Sequence, residues 1–216
     1  FSNLVLIDEI NRAPAKTQAA LFEVMEEKQV TLDGVSYAMQ PPFMVIATQN
    51  PIEYEGTYRL PEAQLDRFLF KINVPYPTEE QEFNILNRFH QFGNSSIYEN
   101  IQASLTAEQI QTVKQLVKNI IIDEKLLQFI AKFIITTRSH KSIFLGASPR
   151  ASLAVMNASK AIAAMSGRDF VTPEDILHVI PYVLRHRIIL TPEKEMEGIT
   201  TDDVLQQIIH SLEIPR

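Results

Sequence analysis

Apolar residues are distributed in two ways along the chain. Up to residue 78 they come in short unbroken runs, and beyond it they recur every three or four positions. Leu4-Val5-Leu6-Ile7 and Phe43-Met44-Val45-Ile46-Ala47-Thr48 do not alternate, which suits strands of a parallel sheet buried on both faces. Leu69-Phe70-Lys71-Ile72-Asn73-Val74, closed by Pro75 and Pro77, predicts a third strand. After the first run, Pro14 opens a helix to Lys28, with Leu21, Phe22 and Met25 on its inner face and Gln18 and Glu26 turned outward. Val30–Tyr37 alternates around Asp33-Gly34 and predicts a hairpin. A loop from Ile52 to Leu60 and a short helix over Pro61–Phe68 complete this part.

The remainder predicts helices only. Thr78 precedes a helix over Glu79–Phe92, with Phe83, Leu86 and Phe89 or Ile85 facing inward, and Gly93–Ser96 forms a looser joint. Thr106 and Gln109 form a capping box for a helix carrying Ile110, Val113, Leu116, Val117 and Ile120. Asp123 caps the next, with Leu126, Leu127, Ile130 and Ile134. Ser148-Pro149 starts a helix that reaches Ser166 and stops at Gly167. Another begins at Thr172-Pro173, with Pro181 predicting a kink or break, and a last one spans Asp202–Leu212. The organisation is thus an α/β piece over 1–78, a connecting helix and linker over 79–105 and a helical piece over 106–216.

Composition narrows the chemistry. The 216 residues contain no Cys, which excludes a disulfide framework, a thiolate metal site and a Cys nucleophile. A net charge of −6 gives no overall attraction to nucleic acid, and no apolar run approaches the roughly 18 residues that span a bilayer. The sequence starts with Phe at the edge of a core strand, so it is read as the C-terminal part of a longer protein.

The candidate chemistry lies where the apolar runs end. In open parallel sheets ligands sit at the carboxyl ends of strands, where Asp8 and Glu9 stand. An apolar strand ending in Asp-Glu is the Walker B pattern of nucleotide hydrolases, in which Asp holds Mg²⁺ and Glu polarises the attacking water. The same pair can instead start the next helix, where carboxylates favour the dipole. Asn50, after the second run, can donate to a phosphate oxygen or merely cap the turn into Pro51. The five His residues show no metal-ligand spacing, and Arg185-His186-Arg187 reads as a solvated or helix-contact face.

Three motifs in order resemble one family. Residues 4–27 (LVLIDEINRAPAKTQAALFEVMEE), 43–51 (FMVIATQNP) and 55–70 (EGTYRLPEAQLDRFLF) are similar to a MoxR-type AAA+ ATPase, and Gly146–Ala151 (GASPRA) resembles its helical lid. The resemblance implies a partial AAA+ core of P-loop NTPase type, with a three-layer αβα parallel sheet followed by an all-α lid. It makes Asp8 the Mg²⁺ residue, Glu9 the general base and Asn50 the sensor 1 side chain. It makes Arg67 an arginine finger acting on a neighbour's nucleotide, with Arg59 second in line, and Arg150 the sensor 2 arginine. From the residues alone, Arg67 can equally pair with Asp66 or Glu62, and Arg150 can be a solvated surface residue. The resemblance further implies ATP and Mg²⁺ as cofactors, a cytoplasmic homo-oligomer in a hexameric ring, and chaperone-like action on a client with a von Willebrand factor A partner. The hairpin tip carries Asp33, Ser36 and Tyr37 with no Lys or Arg, which disfavours nucleic acid.

The departure from the family is the phosphate loop. No G-x-x-x-x-G-K-[ST] occurs in these residues. In the family that loop lies upstream of the first strand, and its strand separates the second and third strands predicted here, so the third has no neighbour to pair with. The alternative to an ATPase is a non-hydrolysing AAA-like scaffold that binds a partner. A metal hydrolase built on Asp8 and Glu9 alone ranks lowest, because no further ligand completes a first shell.

Overall fold

The computed structural model describes residues 2–50, 60–92 and 101–215. Strand β1 (Leu4–Ile7) leads through a short 3₁₀ turn (Ile10–Arg12) into helix α1 (Ala15–Glu27). Strands β2 (Gln29–Leu32) and β3 (Val35–Ala38) form an antiparallel hairpin. Asp33 and Gly34 both take positive φ at its tip, the conformation that favours Asp-Gly in a tight two-residue turn. Strand β4 (Met44–Ala47) returns to pair with β1 in parallel, placing Leu4 opposite Met44 and Ile7 opposite Ala47. Helix α2 (Glu62–Leu65) and the long α3 (Glu79–Phe92) follow.

The rest is a helical body. It comprises α4 (Ala107–Asn119), α5 (Glu124–Ser139), α6 (Pro149–Met165), α7 (Pro173–Leu184), a short α8 (Pro192–Met196) and α9 (Thr201–Ser211). Two short strands, β5 (Ile143–Leu145) and β6 (Ile189–Leu190), pair antiparallel and bring the α5–α6 connection beside the segment after α7. The predicted caps form: Thr106 with Gln109, Asp123 onto Lys125 N–H, and Gly167 at positive φ after α6. Helix α7 runs on through Pro181, where the sequence predicts a kink or break.

Among the described residues, two apolar clusters hold the chain together. The larger joins α5, α6, α7 and α9 around Phe133, Ile134, Ile176, Ile180, Leu205 and Ile208. The smaller packs Ile10, Phe22 and Leu60 with Ile7, Leu21, Met25, Leu65 and Phe68, so α1 covers one face of the β1–β4 pair. Phe22 meets Phe68 edge-on at a centroid distance of 6.2 Å.

Four expectations from the apolar pattern are corrected. Strands β1 and β4 are not buried on both faces: Leu6 is 68% exposed, and Leu4, Met44 and Ile46 lie open beside it, because α1 covers only the opposite face. Residues 69–74 form no strand, since no described strand lies beside them to complete a ladder. The inward stripe of α3 faces solvent, with Phe83, Leu86 and Phe89 exposed, because none of them joins either apolar cluster. Gln18 points inward and is buried, because its amide donates to the carbonyls of Ile10 (3.2 Å) and Ala13 (3.1 Å) and so ties α1 to the turn after β1. Gly93–Ser96 and most of the 52–60 loop, including Arg59, lie outside the described residues.

Candidate functional site

The β1–β4 ladder sets the first part of the site. Thr48 N–H donates to the Ile7 carbonyl (2.9 Å) and Ile10 N–H to the Thr48 carbonyl (3.0 Å), so the two chain exits stay in register past the strands. Asp8 and Glu9 emerge there. Thr48 Oγ1 donates to Asp8 Oδ1 at 2.5 Å and accepts from Glu9 N–H at 2.9 Å. One hydroxyl therefore holds the acidic pair from the neighbouring strand. Glu9 takes a left-handed backbone conformation (φ 48°, ψ 54°), uncommon for a residue with a side chain and favoured at sites where geometry is imposed. Its carboxylate pairs with Arg12 Nε at 2.8 Å. Asp8 remains exposed, and Asn50 lies half-buried three residues after the last residue of β4.

Asp8 fits a Mg²⁺ ion that arrives with a nucleotide. Such an ion keeps its waters and takes one or two protein carboxylates, with substrate phosphates completing the shell. Asp8 supplies one exposed carboxylate held in place by Thr48, and no group of three or more ligating side chains that could hold an ion unaided occurs among the described residues.

The second part lies where the helical body meets the segment after α2. Arg67 Nη1 donates to Glu26 Oε2 (2.9 Å) and to the Phe22 carbonyl (3.4 Å), so its ion pair is with α1 and not with Asp66 or Glu62. Arg150, at the start of α6, donates from Nη2 to the other oxygen of Glu26 (2.7 Å) and approaches Asp66 at 4.0 Å. The candidate finger and the candidate lid arginine thus meet on one carboxylate, brought together from 124 positions apart in sequence in the case of Glu26 and Arg150.

Beneath them lies a buried clamp. Arg187, with a side chain 2% exposed, donates from Nε to Asp66 Oδ1 (2.8 Å) and from its terminal nitrogens to the carbonyls of Asp66, Phe68, Leu69 and Val183. Ser148 Oγ donates to the second Asp66 oxygen (3.0 Å). Burial pulls the Arg187 pKa down, and the Asp66 carboxylate opposes that. His186 Nε2 lies 2.9 Å from the Phe68 carbonyl, so Nε2 carries the proton. Burial lowers the His186 pKa to about 4, against the Phe68 bond and with Arg187 and Lys71 adding to the shift, so the ring is neutral at pH 7. The Arg185–Arg187 knot is therefore a contact between helical body and α/β part, not a solvated face. Arg185 extends it by donating to the Lys71 carbonyl (3.3 Å) while paired with Asp202 (3.0 Å).

The GASPRA stretch has mechanical reasons for its small residues. A Cβ on Gly146 would lie 2.6 Å from the Arg138 Cα, so only glycine lets this strand exit approach α5. Ala147 N–H donates to Thr137 Oγ1 (3.1 Å), its carbonyl accepts from Arg138 Nε (2.8 Å), and Ala151 is fully buried. These contacts set where α6 begins, and hence where Arg150 projects.

Sequence reasoning missed Thr48, Glu26 and Asp66. Thr48 carries a signal, a hydroxyl ending an apolar run opposite Asp8. Glu26 and Asp66 act only through contacts distant in sequence.

Known proteins match this chain in sequence and fold. The model of the ATPase family associated with various cellular activities (AAA) matches residues 1–70, and that of the AAA lid domain matches residues 135–208. YeaC of Bacillus subtilis is 43% identical over 215 residues, covering all of this chain and 66% of its own length. The chaperone MoxR1 of Mycobacterium tuberculosis is 39% identical over 224 residues, covering all of this chain and 58% of its own. A crystal structure of a candidate ATPase from Cytophaga hutchinsonii superposes with a TM-score of 0.92 at 39% identity, over all of this chain and 67% of that one. The chain spans less than two thirds of the length of the two curated relatives. With an acidic pair at a parallel strand exit, a helical body seated on α1 and the segment after α2, and relatives alike along the whole of its length, the chain belongs to the MoxR family of AAA+ ATPases.

Proposed function

We propose that the protein hydrolyses ATP at the interface between subunits of a ring and uses the cycle to remodel a partner protein. The observation that carries this reading is the separate anchoring of two sets of side chains: Asp8 and Glu9 on Thr48, and Arg67 and Arg150 on Glu26. Asp8 holds Mg²⁺ on the nucleotide, and Glu9 orients the attacking water once Arg12 yields its carboxylate. Asn50 donates to the terminal phosphate. Bound Mg²⁺ supplies charge neutralisation on the phosphate oxygens. Arg67 acts in trans on the nucleotide of the neighbouring subunit, where such a residue contributes roughly 10³–10⁵-fold in related NTPases. Arg150 adds a second cation from the lid. The name of MoxR1 as a chaperone supports a remodelling role; a von Willebrand factor A protein as partner rests on the family resemblance alone.

The test is complementation in the full-length gene product. Arg67→Ala and Glu9→Gln are each expected to abolish MgATP turnover, and a mixture of the two is expected to regain part of it through mixed interfaces. A mixture as inactive as its components removes the action in trans, and undiminished turnover in Glu9→Gln removes the acidic pair from the chemistry.

A further inference from the structure

Two cationic side chains from distant parts of the chain converge on one exposed carboxylate that neither the acidic pair nor the lid motif accounts for. We propose that Glu26 is a positioning residue that yokes Arg67 to Arg150, so that a phosphate ligand meets them as one unit. This inference rests on the reading of Arg67 and Arg150 as phosphate-contacting groups.

Each oxygen of Glu26 takes a different arginine, Oε2 from Arg67 and Oε1 from Arg150. Arg67 reaches Glu26 from the segment after α2, and Arg150 from the first turn of α6. Without an intervening carboxylate, two guanidinium groups this close would repel and rotate apart. Asp66 cannot substitute, because its carboxylate is occupied by Arg187 and Ser148 and lies 4.0 Å from Arg150. Three arginines thus share two carboxylates, Glu26 and Asp66, leaving one formal positive charge in excess at an edge where Arg67 and Arg150 are exposed. An anionic ligand is the complement of that balance.

The location argues against a purely structural role. Glu26 sits in the last turn of α1, where a carboxylate opposes the helix dipole. Its pairs are solvent-exposed, and such pairs contribute little to folding. A residue that weakens its own helix slightly and stabilises little is better explained by what it holds in place.

The experiment is steady-state MgATP turnover by the full-length gene product, with thermal unfolding of each variant. Glu26→Gln keeps the shape and removes the charge. It is expected to lower kcat about tenfold with KM within about twofold, while the melting temperature moves by no more than about 2 °C. In a cycle with Arg67→Lys and Arg150→Lys, the two arginine effects are expected to be non-additive when Glu26 is present and additive in Glu26→Gln. Glu9→Gln, run in parallel, separates the two levels. If it abolishes turnover while Glu26→Gln stays within twofold of the parent, the yoke is wrong and the ATPase reading stands. Full turnover in Glu9→Gln overturns both. A melting temperature lowered by more than about 5 °C in Glu26→Gln makes it a structural staple and also overturns the proposal.

Discussion

The helical body and the α/β part are both rich in apolar residues and bury them to different extents. In the helical body, stripes on α5, α6, α7 and α9 close on one another, and Ile176, Val183, Leu184, Val204, Leu205 and Ile208 lose all contact with solvent. In the α/β part, only Ile10, Phe22 and Leu60 form a buried cluster among the described residues, while Leu4, Leu6, Met44 and Ile46 lie open on the sheet. The difference lies in the range over which each architecture is completed. A helix satisfies its own backbone and needs only one partner face, which the next helix supplies. A parallel strand needs hydrogen-bonding neighbours on both edges and helices on both faces, and those come from elsewhere in the chain.

The largest expected effect would break this comparison outright. Phe133→Ala, in the helical core, should cost about 3–5 kcal/mol in urea unfolding of this chain, whereas Leu6→Ala, on the open sheet face, should cost under about 1 kcal/mol. Equal costs would mean that the open face is covered after all.

A second test sharpens the contact between the two regions through pH. His186 is neutral and buried when folded, with a pKa of about 4, against 6.5 for the free side chain. The unfolded chain therefore takes up a proton between pH 6.5 and 4 that the folded chain refuses. The contribution is present in full above 6.5 and declines as pH falls, by about 3 kcal/mol at pH 4. Urea midpoints across that range should fall more steeply for the parent than for His186→Gln; identical slopes would remove His186 as the cause.

The smallest effect concerns the approach that places Arg150. Gly146→Ala should destabilise the helical body by about 1–3 kcal/mol, since the new Cβ would collide with the Arg138 backbone. A neutral outcome in thermal unfolding would show that the β5 exit can move away from α5 without loss.

Much of the helical body was legible in its punctuation. Thr106 with Gln109, Asp123 and Gly167 mark ends that local hydrogen bonds and backbone sterics determine, and the structure places those ends there. The run at 69–74 has the composition of a strand but not its ladder, because pairing is not a property of the run itself. The outward reading of Gln18 followed from its polarity alone; the carbonyls of Ile10 and Ala13 that draw it inward become visible only once the chain has turned. Helix α8 and the β5–β6 pair escaped notice because elements of two to five residues carry no periodicity.

For the candidate site the division is equally physical. Residue identity set the acidic pair after an apolar run, the amide at Asn50 and the absence of thiol chemistry, since these depend on chemical type and short spacing, whereas Arg67 and Arg150 became candidates only through the family resemblance. The tertiary structure alone decided that Thr48 anchors Asp8 and Glu9, that one carboxylate on α1 joins Arg67 to Arg150, and that the 185–187 knot is buried against Asp66 and Phe68. Ion pairs spanning 41, 121 and 124 positions leave no trace in local pattern, because the force that selects them acts through space and not along the chain.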